Sequence, residues 1–259
     1  MTFPASLWLI GCGNMGGAML RGWIAEGADP ATITVVDPFD PVVPDGVTVL
    51  KAPPAGVPDV LVLAIKPQQL DTLPRLSADV LISILAGVEE ATLAARFDAG
   101  AVIRAMPNLP VSIGQGVVAL HGTDLSTEAY AVAGRLMEPF GLVEWIEREA
   151  LFDVVTALSG SGPGFVYRFI DALAEAGAAL GLPADQAQRF AIATVEGAAA
   201  LADGAGEPPA ALANRVASPG GTTRAGLDVL DDGEALKRLV HETLVAAARR
   251  SAELAAAAR

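Results

Sequence analysis

Residues 7–16, Leu-Trp-Leu-Ile-Gly-Cys-Gly-Asn-Met-Gly, pass from an apolar β-type tetrad straight into Gly-x-Gly-x-x-Gly, and a helical pattern follows over Met15–Glu26. That order leaves few folds open. Gly11 permits a tight turn, Gly13 lets backbone approach a pyrophosphate, and Gly16 lets the helix pack closely on the strand. Phosphates at such a place sit against the positive end of the helix. An ordinary glycine turn would use the same residues. Its position between an N-terminal strand and an amphipathic helix favours dinucleotide binding.

The chain continues in the same manner. Short, wholly apolar runs at Leu7–Ile10, Ile33–Asp37, Val47–Leu50, Val60–Ile65, Leu81–Leu85, Val102–Ala105, Gly116–Leu120 and Leu142–Ile146 read as strands. Runs that do not alternate suit a sheet covered on both faces. Helical patterns lie between them at Met15–Glu26, Glu89–Phe97 and Thr127–Met137. The alternation predicts an α/β class chain, an N-terminal Rossmann-like doubly wound sheet over residues 1–147. After residue 147 the β-type runs stop. Helices are predicted at Ala150–Leu158, Phe165–Leu180, Ala184–Ala202, Pro208–Val216, Thr222–Leu230 and Glu234–Ala257, forming an all-helical domain over 148–259. Phe165, Val166, Phe169, Ile170, Leu173 and Leu180 make the first long helix apolar on more than one face, so a second subunit is the expected cover.

Composition removes several classes. Thirty acidic against seventeen basic side chains give a formal charge of −13, with three lysines, which argues against a nucleic-acid partner. No apolar run approaches the roughly 20 residues that span a bilayer, so no membrane partner is expected. The one cysteine, Cys12, allows neither an internal disulfide nor a Cys-based zinc site. The expected compartment is the cytoplasm.

Strand ends supply the candidate ligands. Asp37 closes the second strand, where an acid can hold a ribose 2′-hydroxyl and would repel a 2′-phosphate, favouring NADH. Lys51, after the third strand, would pull toward NADPH. Asp37 before Pro38 also reads as a simple turn residue, so the cofactor choice stays open between NADH and NADPH. The stretch Pro38–Gly46, with three prolines, is too broken for a second helix. Lys66, in Ala64-Ile65-Lys66-Pro67, can meet a phosphate, ribose or carboxylate, or can be a solvated loop lysine. Pro107 and Asn108 end a later strand and can form a wall and a hydrogen bond beside a nicotinamide.

The chain has two histidines, His121 and His241, and neither lies at a glycine-rich or strand-end motif. Carbonyl reduction wants a general acid of that kind. An imine is basic enough to arrive protonated, so hydroxyls and backbone donors can suffice. Leu158-Ser159-Gly160-Ser161-Gly162-Pro163-Gly164 and Ser218-Pro219-Gly220-Gly221-Thr222-Thr223 offer such groups. Glycine amides ahead of a helix suit a small carboxylate, and the Thr hydroxyls can bond a substrate nitrogen. Helix capping by Ser and Thr is the structural alternative.

In this order, Gly11–Gly16, Ala64–Pro67, Arg104–Asn108, Leu158–Pro163 and Ser218–Thr223 resemble the pyrroline-5-carboxylate reductase family, from residue 7 to about 250. The Ser-Pro-Gly-Gly-Thr-Thr loop is the most specific element. The resemblance implies NAD(P)H-dependent reduction of 1-pyrroline-5-carboxylate to proline. It also implies a helical domain that interlocks two subunits, so that the loop can act on a cofactor held by the other. Carried over, Gly11, Cys12, Gly13, Asn14 and Met15 hold the pyrophosphate, while Ala64, Ile65, Lys66, Pro67 and Asn108 line the nicotinamide and its ribose. Ser161, Ser218, Gly220, Gly221, Thr222 and Thr223 bind the cyclic imine carboxylate, with Thr223 facing the ring nitrogen as the catalytic group. Leu109, Arg224, Asp37 and the short 38–46 segment depart from the family's pattern. A β-hydroxyacid dehydrogenase-like enzyme is disfavoured, because the corresponding helix start, Gly164–Arg168, carries no lysine. A non-catalytic dinucleotide-binding regulator would not need the Thr pair, and a glycine-loop methyltransferase fits the helical half poorly.

Overall fold

The computed structural model describes residues 3–257. Its elements are β1 (Leu7–Ile10), α1 (Asn14–Ala25), β2 (Ile33–Val36), β3 (Thr48–Leu50), β4 (Val60–Leu63), β5 (Ser77–Ser83), α2 (Glu90–Arg96), β6 (Asp98–Pro107), β7 (Gly116–His121), α3 (Thr127–Met137), β8 (Gly141–Trp145), α4 (Phe152–Val155), α5 (Gly162–Ala179), α6 (Ala184–Gly204), α7 (Pro209–Val216), α8 (Thr222–Asp231) and α9 (Ala235–Ala257). All eight strands join one sheet in the order β3-β2-β1-β4-β5-β6-β7-β8. The pairings from β3 to β6 are parallel, β6 and β7 run antiparallel, and β7 and β8 are again parallel.

The central strands β1 and β4 are buried on both faces, which is why they are apolar without alternation. Leu7 and Leu9 point into one layer with Met19, Leu20 and Trp23 of α1 and Leu136 of α3. Trp8 and Ile10 point into the other, with Leu93 of α2 and Phe97. The indole N–H of Trp23 donates to the Leu136 carbonyl at 2.7 Å, and its ring meets Phe140 edge-on at 5.9 Å.

Residues 38–46 form no helix, as their prolines predict. The chain divides into two compact units, one holding the residues up to Ser161 together with those from Ala247 onward, the other Gly162–Ala246. This division falls later than the boundary at 147/148 expected from the sequence. The segment after β8 is tied to the sheet: Glu149 accepts from Arg104 of β6 at 2.7 Å, and the Arg104 guanidinium lies 4.4 Å from the Phe152 ring centroid. The last turns of α9 also return to the first unit, where Ser251 Oγ donates to Asp153 at 2.7 Å and Ala255 lies against Gly87.

The second unit is helical throughout. Its α5 and α6 form a hairpin through Gly181-Leu182-Pro183, with Gly177 set close to Ala187 and Leu182. Among the described residues of this unit, the buried hydrophobics are Ala187, Ala191 and Ala217. No helix among the described residues is long and apolar enough to cross a membrane.

Candidate active site

The glycine loop joins β1 to α1 at the carboxyl end of the parallel strands. Gly11 has φ +92°, and a Cβ there would lie 2.7 Å from the Ala64 carbonyl oxygen, so only glycine fits. A Cβ on Gly16 would run into the Gly11 carbonyl. Gly13 differs from both, because nothing lies within 4 Å of the place its Cβ would occupy. That open space sits at the N-cap of α1, where no side chain caps the helix and no acid stands in the first turn. The uncapped amides and the positive helix end suit an anion such as a pyrophosphate. Cys12 and Met15 are half-buried beside this space, and Gly13 and Asn14 are exposed to it.

Asp37 follows β2 and is 8% exposed. One carboxylate oxygen accepts the Cys12 N–H at 2.7 Å, and the other accepts the Phe39 N–H at 2.9 Å. Asp37 is thus a turn residue and a strand-end acid at once. Cys12 is half-buried, and its thiol is pushed above its ordinary pKa by that burial first, then by the Asp37 charge, with Arg21 partly opposing. Lys51 pairs with Asp40 and donates to the Pro38 carbonyl at 3.2 Å.

The second crevice wall begins after β4. The Ala64 N–H donates to Ile10 at 2.8 Å, continuing the pairing with β1, and Ala64 and Ile65 are half-buried. Lys66 is exposed, and its main-chain N–H donates to Gln69 Oε1 at 3.1 Å, starting the short turn from Pro67. Asn108, by contrast, is buried and already engaged. Its Nδ2 donates to the Ser159 carbonyl at 3.1 Å, and its Oδ1 accepts the Val117 N–H at 2.9 Å. The carbonyl of Ser159 belongs to a π-helical turn over Thr156–Gly160, closed by Ser161 N–H donating to Thr156 at 2.8 Å. Helix was expected through Leu158 here. The wider turn presents Ser161 at the start of α5, and such turns gather at functional sites.

In the second unit, Ser218–Gly221 forms a tight turn ahead of α8, with the Gly221 N–H donating to the Ser218 carbonyl at 3.0 Å. Gly220 has φ +73°, and a Cβ on Gly221 would meet Ser218 Oγ at 2.6 Å. Gly221 is the N-cap, and no side chain caps α8, so neither Thr222 nor Thr223 serves as a cap. Both are exposed. Arg224, one of the departures noted above, donates to Asn214 Oδ1 of α7 at 2.9 Å and lies 3.8 Å from Asp228, holding α7 and α8 about the loop. Leu109 is 56% exposed.

One cluster escaped sequence reasoning. Glu149 accepts from Arg104 and, at 2.6 Å, from the Glu90 N–H at the start of α2. Glu90 accepts from both the N–H and the hydroxyl of Thr123, and lies 3.4 Å from His121 Nε2. His121 Nδ1 is 2.7 Å from the Ile146 carbonyl. The visible signal was Arg104 inside the apolar run Val102–Ala105, since a buried charge requires partners. With guanidinium and amide donors filling its carboxylates, the cluster reads as a brace between β6, β7, α2 and the segment leading to α4.

Comparison with known proteins agrees with these parts. A family model described as "Pyrroline-5-carboxylate reductase dimerisation" matches residues 149–254, and one described as "NADP oxidoreductase coenzyme F420-dependent" matches residues 6–87. The pyrroline-5-carboxylate reductase of Pseudomonas aeruginosa is 36% identical over 267 residues, covering 95% of each chain. The solved structure of the Coxiella burnetii reductase superposes with a TM-score of 0.86 at 30% identity, covering 97% of this chain and 98% of that one. The Plasmodium falciparum reductase, solved with NADP bound, shares the fold with a TM-score of 0.80 at 23% identity, over 97% and 98% of the two chains. The chain belongs to the pyrroline-5-carboxylate reductase family.

Proposed function

We propose that this chain reduces 1-pyrroline-5-carboxylate to proline in the cytoplasm, with NADH or NADPH as donor, as a homo-oligomer closed through its helical unit. The observation that carries this reading is the end-to-end match to the reductases just described. When bound, the nicotinamide supplies a hydride to the imine carbon, and one proton on nitrogen balances the reduction. The residues of this chain bind and orient. The uncapped start of α1, from Gly11 to Met15, holds the pyrophosphate, and Ala64–Pro67 lines the neighbouring ribose. Asn108 acts one step removed, fixing the Ser159 carbonyl and with it the turn that presents Ser161.

The substrate carboxylate is held by the amides of Gly220–Thr222 at the positive end of α8. Ser161 and Ser218 supply further hydroxyls. Thr223, free of any capping duty, directs its hydroxyl to the ring nitrogen. Rate enhancement then comes from orientation and electrostatics rather than from a strong acid. A single cysteine is in keeping with a reducing compartment. The exposed apolar faces of the helical unit support the homo-oligomer.

The test is cofactor oxidation with pyrroline-5-carboxylate, run beside its six-membered homologue. Fast turnover of the five-membered imine is expected. Tight dinucleotide binding without turnover of either imine would favour the regulatory alternative. Thr223→Ala should lower kcat by about tenfold or more, the scale of one lost transition-state hydrogen bond, and Thr223→Ser should retain much of the rate. Unchanged turnover in Thr223→Ala would remove that residue from the mechanism.

A further inference from the structure

We infer that this chain takes NADH in preference to NADPH, with Asp37 excluding the adenosine 2′-phosphate and Asp40 withholding Lys51 from it. The inference rests on the dinucleotide site proposed above. A 2′-phosphate carries nearly two negative charges at neutral pH and needs cations or free N–H donors around it. At the end of β2 two such donors are already engaged. The Cys12 and Phe39 N–H groups both point into the Asp37 carboxylate, at 2.7 and 2.9 Å. Two such donors fix that carboxylate in orientation, and it is buried in place rather than free to swing away.

A carboxylate has about four acceptor positions, so the two bonds already made leave room for the ribose hydroxyls of NADH. The same lone pairs repel a phosphate. Lys51 is the one basic side chain of the β2–β3 region, and its ammonium is held by the Asp40 carboxylate and the Pro38 carbonyl. To reach a phosphate it would have to leave both.

Arg21 is a further cation near the loop, its Nη1 3.3 Å from where a Cβ on Gly17 would stand. Cys12 reports which charge prevails there. Its thiol is raised by Asp37 more than Arg21 lowers it.

The experiment titrates the purified full-length protein separately with NADH and with NADPH, reading the fluorescence of the bound nicotinamide, without substrate. Kd for NADPH is expected to be weaker by about tenfold or more, the effect of a like charge at close range. Asp40→Asn should release Lys51, tightening NADPH by several-fold and leaving NADH unchanged. Asp37→Ser should bring the two Kd values together. Because Asp37 also anchors Cys12, the Asp40 variant tests the idea without disturbing the loop. Equal or tighter binding of NADPH by the wild-type protein would overturn the selectivity, and an unaltered Kd ratio in Asp40→Asn would overturn the part given to Lys51. If neither dinucleotide binds the folded protein, the cofactor site itself is wrong, and this inference falls with it.

Discussion

The two units of this chain solve burial in opposite ways. The first wraps two apolar layers around its sheet, with Trp23, Phe97 and Phe140 fully enclosed. The second buries three alanines and leaves Val166, Phe169, Leu173, Phe190 and Leu239 at least 41% exposed. Alanine burial cannot offset the ordering of some eighty residues at roughly 1–2 kcal/mol each. The first unit has an apolar core of its own, whereas the second leaves large apolar side chains uncovered. That difference places the glycine loop on a unit with a core and the Thr pair on a unit without one.

The sharpest way to break this contrast is to charge the α5 stripe. Phe169 and Leu173 lie one turn apart on α5, and Phe169→Glu with Leu173→Glu should give monomers by sedimentation and lower activity by about 100-fold or more, as expected when central apolar anchors are lost. Val57→Glu, on a still more exposed residue of the first unit, should change neither property. Retention of the assembled state by the α5 variant would refute the division of labour.

Next in size are substitutions inside the first unit. Trp23→Ala removes a buried ring and the bond to the Leu136 carbonyl, and should cost about 3–5 kcal/mol of stability in chemical denaturation. Glu149→Ala strips Arg104 of its carboxylate and α2 of its cap, at a cost of about 2–3 kcal/mol. Both losses should appear in the unfolding of the first unit even when the chain is monomeric. If they vanish in the α5 variant, the first unit is not independent.

The smallest effect is kinetic. Cys12 is the only thiol, and burial and Asp37 raise its pKa, so the reactive thiolate is scarcer at neutral pH than in free cysteine. Alkylation should be several-fold slower than for a free thiol and should accelerate as the pH rises through the raised value. Asp37→Asn removes one of the raising causes and should speed it. The same slow alkylation in the α5 variant would show the glycine loop intact in a monomer.

Much of this was legible in the sequence. Eight strands could be read because apolar runs bounded by Gly, Pro and Asp leave little else to assign, and Thr127–Met137 was expected at its observed bounds. The start of β5 was not, because Ser77, Ala78 and Asp79 look like loop and become strand only by pairing with β6. The reversal of β7 against β6 left no mark on either run, since strand direction is a property of pairs. Both roles of Asp37 can be read from its place before Pro38, but their coexistence depends on the Cys12 and Phe39 amides arriving at one carboxylate. The pairing of Lys51 with Asp40 was not legible, because i to i+11 partners leave no periodic trace. The contacts of Asn108 and Arg224 were hidden for the same reason.

The return of α9 to the first unit makes the helical unit an insertion rather than an appendage. Its chain enters after Ser161 and leaves before Ala247, and the departing strand of chain is fastened by Ser251 to Asp153 and by Ala255 beside Gly87. An insertion with both ends moored has already given up much of its loop-closure entropy, which lightens the ordering of a unit without a core of its own. After one proteolytic nick between Gly204 and Pro209, the C-terminal piece would keep the Ser251–Asp153 hydrogen bond and the packing of Ala255 beside Gly87 as its anchors to the first unit.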